Sequence, residues 1–316
     1  MKKIFYCLSL LCLLFILGGC SSSGTTAPQN RMEVEDSNHR IVTIKGTPQR
    51  IVSLSPSFNE LVEAVNGRLV GTASSKLIAT EPKLEKVGFT FSINTEKVLS
   101  LRPDLIIGYQ GMHERYLPFF EEMGIPVLML KLKTYDDVQS CLQLLGQALQ
   151  QQTRAEQVRL ALSQKMAQAL EHNPSSHPRL AIVHYSTQGI ALETEQSIAG
   201  STAKMLELHN VLLDAPQLTE LQRGNEFIPY NLEMLIQQNP ELIFVTSMGT
   251  GDRVQEYITQ EILQNPSWST VKAVQKQQVY YLPEELFLVN PGLHYPQAVQ
   301  YMSTILKNIS KEADAQ

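Results

Sequence analysis

The stretch Glu96-Lys97-Val98-Leu99-Ser100-Leu101-Arg102-Pro103-Asp104-Leu105-Ile106-Ile107 has a counterpart in Glu233-Met234-Leu235-Ile236-Gln237-Gln238-Asn239-Pro240-Glu241-Leu242-Ile243-Phe244. The second copy runs 137 positions behind the first without a gap, Glu96 to Glu233 and Pro103 to Pro240. Each copy reads as a short amphipathic helix, a turn made by Pro and an acid, and an apolar strand. Working outward, further strand-like runs flank the first copy at Ile51–Leu54, Leu69–Thr72 and Val127–Leu130. They flank the second at Leu180–Tyr185 and Val279–Leu282. Helical patterns at 57–65, 95–101, 115–123, 201–208, 232–238 and 296–308 separate them, the first opened by the capping box Ser57-Phe58-Asn59-Glu60. Before them, Met32–Glu35 and Arg40–Ile44 read as a hairpin. Strands alternating with helices predict an α/β fold with mainly parallel sheets.

Between the copies the texture changes. From Asp136 to His172 there is no Pro, and Gly146 is the one Gly. This predicts a helix of about 16 residues followed by one of about 19, nearly 30 Å long at ~1.5 Å per residue. Thr153-Arg154-Ala155-Glu156 reads as the capping box of the second. The predicted architecture is α/β, with two Rossmann-like lobes joined by a long rigid α-helix. The ligand cleft is expected between the lobes, beyond the carboxyl ends of the strands. The expected organisation is a leader over 1–19, a flexible tether over 20–31, an N-terminal lobe over 32–135, a helical linker over 136–177 and a C-terminal lobe over 178–310.

The N-terminus sets the expected compartment. Lys2 and Lys3 precede the nearly wholly apolar run Ile4–Leu17, followed by Leu17-Gly18-Gly19-Cys20. That is the pattern of a secretory signal, and the apolar run is shorter than the ~20 residues of a spanning helix. Its Leu-Gly-Gly-Cys ending resembles the lipobox of bacterial lipoproteins, which implies a Cys20 diacylated on its thiol and left at the N-terminus by cleavage. Ser21 to Asn30 is uncharged and rich in Ser, Thr, Pro and Gln, as a tether would be. Cys7 and Cys12 lie in the leader, so Cys141 remains as one thiol without a partner in the body. The expectation is an extracytoplasmic, monomeric body, lipid-anchored to the cell membrane.

Composition narrows the function classes. Hydrophobic residues make up 43% and charged residues 18% of 316, which fits a globular body rather than a disordered or multi-span chain. With Lys2 and Lys3 in the leader, 24 basic residues face 31 acidic ones, a net −7. No basic run follows Lys3, which argues against nucleic acid as a partner. No Walker, Gly-x-Gly-x-x-Gly, Gly-x-Ser-x-Gly or His-Glu-x-x-His motif is present. The seven histidines show no ligand spacing, so neither a catalytic set nor a resident metal or cofactor is expected. A hydrolase or an adhesin is the alternative from another class.

Several segments together resemble one family. Arg50-Ile51-Val52-Ser53-Leu54-Ser55-Pro56-Ser57-Phe58-Asn59-Glu60-Leu61, then Glu96 to Ile107, Gly124-Ile125-Pro126-Val127, the long helix and Asn290-Pro291-Gly292 are similar to the helical-backbone substrate-binding proteins of ABC importers. Those proteins capture iron-siderophores, haem or cobalamin. The resemblance covers nearly all of Met32 to Asn308 and implies modest hinge motion. It also implies an ABC permease as partner, with its ATPase behind it, and one exposed docking glutamate per lobe. The two positions are Glu96 and Glu233, the first residues of the two repeats. Charge pairs of that kind set register more than affinity.

Cleft candidates are residues on loops after the strands: Ser55, Ser57, Phe89, Phe91, Tyr109, Met112, His113, Tyr185, Phe227, Met248 and Phe287. Aromatic side chains present area to a large chelate at small entropic cost. Cobalamin binders of the family carry a cleft Trp six residues before each docking Glu. Here those positions are Thr90, between two Phe, and Phe227. The haem binders carry Tyr or Met just before the first docking Glu, where Phe89 and Phe91 stand, neither of which ligates iron. Haem ligation is then left to Met112, His113, Tyr109 or Met248. Arg223 and Arg253 are the basic residues near the predicted cleft loops. A ferric chelate, siderophore or haem, is the expected ligand, with a corrinoid as the alternative.

Overall fold

The computed structural model describes residues 31–78, 82–171, 177–186, 189–247 and 251–314. The lipobox, Cys20, the expected tether up to Asn30 and Met248 lie outside the described residues, while Arg31 already belongs to the first strand. Among those described, no helix is long and apolar enough to cross a membrane.

The N-terminal part opens with the hairpin β1 (Arg31–Glu35) and β2 (Ile41–Lys45), paired antiparallel with Val34 opposite Val42. Then come β3 (Ile51–Ser53), β4 (Leu69–Ser74), β5 (Glu85–Phe89), β6 (Ser92–Ile93), β7 (Leu105–Tyr109) and β8 (Val127–Leu130). They form one sheet in the order β6-β5-β4-β3-β7-β8, parallel except for the edge pair β5–β6. The C-terminal part holds β9 (Arg179–Ser186), β10 (Gly189–Glu193), β11 (His209–Asn210), β12 (Phe227–Pro229), β13 (Leu242–Ser247) and β14 (Val279–Tyr281). Their order is β12-β10-β9-β13-β14, with β11 also on β9. This sheet is mixed, because β10 pairs antiparallel with both β9 and β12. The short strands β5, β6, β10, β11 and β12 lack the long apolar runs by which a sequence announces a strand.

The duplication extends into the backbone and its caps. Asn94 and Asn231 are the N-caps of the helices Thr95–Ser100 and Leu232–Gln238, each Oδ1 accepting the backbone N–H three residues on at 2.9 Å. At the far ends Arg102 and Asn239 take left-handed backbone, with φ of 46° and 48°. In each lobe an arginine stands at the start of the first strand of the main sheet, Arg50 just before β3 and Arg179 at the first position of β9. Arg50 donates to the Leu101 carbonyl at 2.6 Å and Arg179 to that of Gln238 at 2.9 Å, so each caps the last turn of its repeat helix. The strand pairs that follow, Ile51 with Leu105 and Leu180 with Leu242, hold the same register.

Two helices join the parts. Tyr135–Ala148 is shorter than expected and begins at a capping box made by Thr134 and Asp137. Gln152–Leu170 has the expected 19 residues, but Thr153 is not its cap: the helix starts at Gln152, after a left-handed turn at Gln150. Ser57 is not a cap either. Pro56 opens a short 3-10 turn with Ser55 as its N-cap, and the following helix covers Asn59–Ala64. Pro is pre-set for a first helical position, so it moves the start two residues upstream.

The two parts share one apolar core. Ile51, Leu105 and Leu130 from one sheet, Leu180 and Phe244 from the other, and Leu142, Leu162 and Met302 from the helices between them form a continuous buried cluster. The helix Tyr295–Asp314 supplies Met302 and closes the cluster against Gln152–Leu170. The outer sheet faces carry separate clusters, around Val52, Ile106 and Met129 on one side and around Ile243, Val245 and Trp268 on the other. Leu142→Ala, at a fully buried position of the shared core, is expected to destabilise the protein by about 2–5 kcal/mol. Trp268, the single tryptophan, lies in the C-terminal outer cluster and reports that lobe alone. Its fluorescence midpoint in a denaturant titration should fall together with the far-ultraviolet circular dichroism. An unmoved Trp268 transition would show that the lobes unfold independently.

Candidate functional site

The carboxyl ends of the N-terminal strands face the C-terminal sheet across a cavity of about 380 Å³. Five of the expected residues meet there: Ser57 after β3, Phe91 after β5, Tyr109 at the end of β7, Met112 beyond it, and Phe227 from the opposite lobe. Phe91 is 70% exposed and Phe227 39%, so each lobe offers an uncovered aromatic face.

The other expected residues stand elsewhere. Phe287 is 2% exposed and packs edge-on to Tyr301 at 5.9 Å, so it is core rather than cleft. Ser55 is buried as a cap, and its carbonyl accepts from Ser53 Oγ at 2.5 Å. Tyr185 is stacked on Tyr257 at 4.1 Å, beside the cavity rather than on its wall. Phe89 is exposed but is not part of the cavity wall. Aromatic residues serve core and cleft equally well, and sequence alone does not separate the two uses.

His113 is turned inward and both its ring nitrogens are engaged. The Tyr109 backbone N–H donates to Nδ1 at 2.8 Å, so the proton sits on Nε2, which donates to the Thr90 carbonyl at 2.8 Å. No lone pair remains for iron. The residue instead positions the aromatic loop. Arg115 donates to the Phe91 carbonyl, and Tyr116 Oη accepts from the Ile93 N–H at 3.0 Å. Gly88 makes the tight turn possible, since at φ +102° a Cβ there would stand 2.5 Å from the Ser92 carbonyl. The Tyr109 ring lies 5.3 Å from Phe58, and its hydroxyl donates to the Leu132 carbonyl at 2.5 Å. Burial, with help from the Glu226 charge, pushes that phenol up, so it remains a neutral donor.

Four polar wall residues were not among the sequence's cleft candidates. Lys133 Nζ and Glu226 Oε2 form an ion pair of 2.9 Å from one lobe to the other. Among the described wall residues Lys133 is the one cation of Lys or Arg type, so the pair leaves the wall without net charge. His184 lines the cavity against the Phe227 ring at 4.9 Å. Asn290, inside the Asn290-Pro291-Gly292 motif, also lines it. Its Oδ1 accepts from the Gly292 N–H at 2.8 Å, and its buried Nδ2 has no partner. Ion pairs between distant segments leave no periodic mark in a sequence. Among the described residues no group of three or more His, Cys, Asp or Glu side chains is placed to hold a bare metal ion.

Glu96 and Glu233 occupy matched places, each in the first turn of its repeat helix. Both are exposed, and neither has an ion-pair partner among the described residues.

Comparison with known proteins places this geometry. Residues 51–286 match the profile of the family described as periplasmic binding protein. The Fe(3+)-citrate-binding protein YfmC of Bacillus subtilis is 28% identical over 291 residues, covering 86% of each chain. The Fe(3+) dicitrate-binding periplasmic protein FecB of Escherichia coli is 29% identical over 255 residues, covering 76% of this chain and 79% of its own. Among solved structures, an ABC transporter substrate-binding protein from Listeria monocytogenes superimposes with a TM-score of 0.71 at 22% identity. It covers 82% of this chain and 98% of its own.

The buried His113 makes acid destabilising. Burial holds its folded pKa below the ordinary value, despite the Thr90 bond. Its contribution is therefore complete above about pH 6.5 and is lost as pH falls through the folded value. Histidine nuclear magnetic resonance should show a neutral, Nε2-protonated ring at about pH 7.5, with its titration below that of a free imidazole. The stability gap between the protein and its His113→Gln variant should narrow on acidification. A ring half-protonated at pH 6.5 or above contradicts this.

Proposed function

The chain belongs to the periplasmic binding protein family, and from that premise we propose that it is the extracytoplasmic substrate-binding protein of an ABC importer, capturing an iron chelate. It acts without chemistry. The chelate enters the cleft, modest closure shifts the population toward the loaded form, and the loaded lobes dock on the permease, whose ATPase drives release. The observation that carries the reading is the cavity between two lobes with an aromatic face from each, Phe91 and Phe227. Relatives named for ferric citrate support iron as the cargo metal. Anchoring is assigned to an acylated Cys20, with the protein working as a monomer on the outer side of the cell membrane. Tyr109, Met112, Ser57 and the pair Lys133–Glu226 complete the proposed ligand site. A corrinoid is the second reading, favoured by the same two aromatic faces.

Glu96 and Glu233 are the proposed permease contacts. Their support is the matched placement: one free carboxylate per lobe, presented by helices with identical caps. Two such charges read a two-fold permease and fix its register.

Native mass spectrometry and visible spectra with haemin, cobalamin and a panel of ferric siderophores test capture directly. A one-to-one complex with one chelate class is expected, and a folded protein that binds none of them refutes capture of these ligands. The double variant Glu96→Ala, Glu233→Ala should keep the chelate affinity and lose uptake into cells. Undiminished uptake by that variant would remove the docking assignment.

A further inference from the structure

The two buried histidines near the cleft hold opposite tautomers, and one leaves a ring nitrogen free. Thr246 Oγ1 donates its single proton to Glu193 Oε1. The Thr246 oxygen is then restricted to accepting, so the 2.9 Å contact with His184 identifies Nδ1 as the protonated nitrogen. The Glu193 carboxylate lies 3.4 Å from the same nitrogen and reinforces that choice. In the tautomer so fixed the lone pair is on Nε2, and no hydrogen-bond partner for it is found among the described residues.

Three adjacent strands build this arrangement. His184 on β9 stands opposite Thr246 on β13, and Glu193 ends the neighbouring strand β10. Glu193 is 2% exposed and Thr246 wholly buried, so the inner edge of the ring is fixed. The Phe227 ring, 4.9 Å away and tilted by 55°, holds one face. His184 itself lines the cavity.

His113 uses both ring nitrogens within the protein. A histidine that binds metal donates its second N–H to a carboxylate or to a group relaying to one, which fixes the tautomer and raises the basicity of the other nitrogen. His184, Thr246 and Glu193 have that order. The wall offers no net charge to anchor an anion, because Lys133 is paired with Glu226.

We propose that His184 Nε2 binds the iron of the captured chelate directly. The cargo is then a ferric chelate with an exchangeable coordination position rather than a saturated one. The Nε2 lone pair displaces a bound water or halide, the iron stays ferric, and no proton has to move because Nε2 carries none. This rests on the capture reading above and narrows its ligand class.

The test uses the full chain in detergent, with detergent alone as the blank. Its probes are haemin and ferric citrate, which have exchangeable positions, and ferric desferrioxamine B, which is saturated. Haemin or ferric citrate is expected to bind, and His184→Ala to weaken it about 10–100-fold. Bound haemin should give a low-spin spectrum that the variant loses. Free imidazole should restore binding to the variant, which also shows that the variant is folded. Thr246→Val keeps the ring but removes the acceptor for Nδ1, and should weaken the same probe about tenfold. The inference is overturned if the variants bind as the parent does, if imidazole restores nothing to a folded variant, or if the saturated chelate alone is bound; capture itself then stands. A folded parent that binds no probe overturns both this inference and the capture reading for these ligands.

Discussion

The apolar core that runs unbroken from one sheet to the other is the constraint on which the rest depends. Ile51 and Phe244 lie in different sheets, yet both are buried in one cluster with Leu142 and Leu162 between them. Opening the cleft widely would expose that cluster, and each buried aliphatic side chain opposes exposure by about 1.5–3 kcal/mol. The hinge is therefore stiff. A ligand in the proposed site would then meet side chains already placed around the cavity, with loop adjustment and only modest lobe closure supplying the fit. The aromatic loop at Phe91 is pinned by His113, Arg115 and Tyr116 for the same reason.

The duplication works at the level of caps as well as of strands. An Asn opens each repeat helix, a left-handed residue follows its end, and an arginine at the start of the sheet's first strand takes up a carbonyl of the last turn. Such a helix is only six or seven residues long and would not persist alone. The caps and the strand behind it give it a fixed axis. That is what a first-turn glutamate needs if it is to be presented the same way from both lobes.

The sequence revealed most where burial was complete. Strands β3, β7, β9 and β13 are covered on both faces, so they are continuous apolar runs and could be placed nearly to the residue. The helix pair was equally legible from the missing Pro and Gly. What was illegible has physical causes. The strands β10 and β12 lie at a sheet margin with exposed positions, and their letters do not alternate. Local rules compete at Ser57, where the capping-box spacing loses to the Pro beside it. Phe287 and Phe227 are the same letter, and tertiary packing alone puts one under Tyr301 and the other on the cavity wall.

The polar part of the site was hidden for a different reason. Lys133 and Glu226 are 93 residues apart, and His184 and Thr246 are 62 apart. Neither pair follows a motif. Each depends on which strand ends the topology brings together. The sequence singled out His113 because it sits on the loop after a strand, yet that loop folds the ring inward to serve its own backbone. His184 sits within an apolar strand run, where a histidine reads as an interruption of the core. Its value appears only with its partners, since a buried carboxylate and a hydroxyl that has already given up its proton together decide which nitrogen keeps a lone pair. Two histidines of one protein thus differ in chemical capacity because of the hydrogen bonds around them.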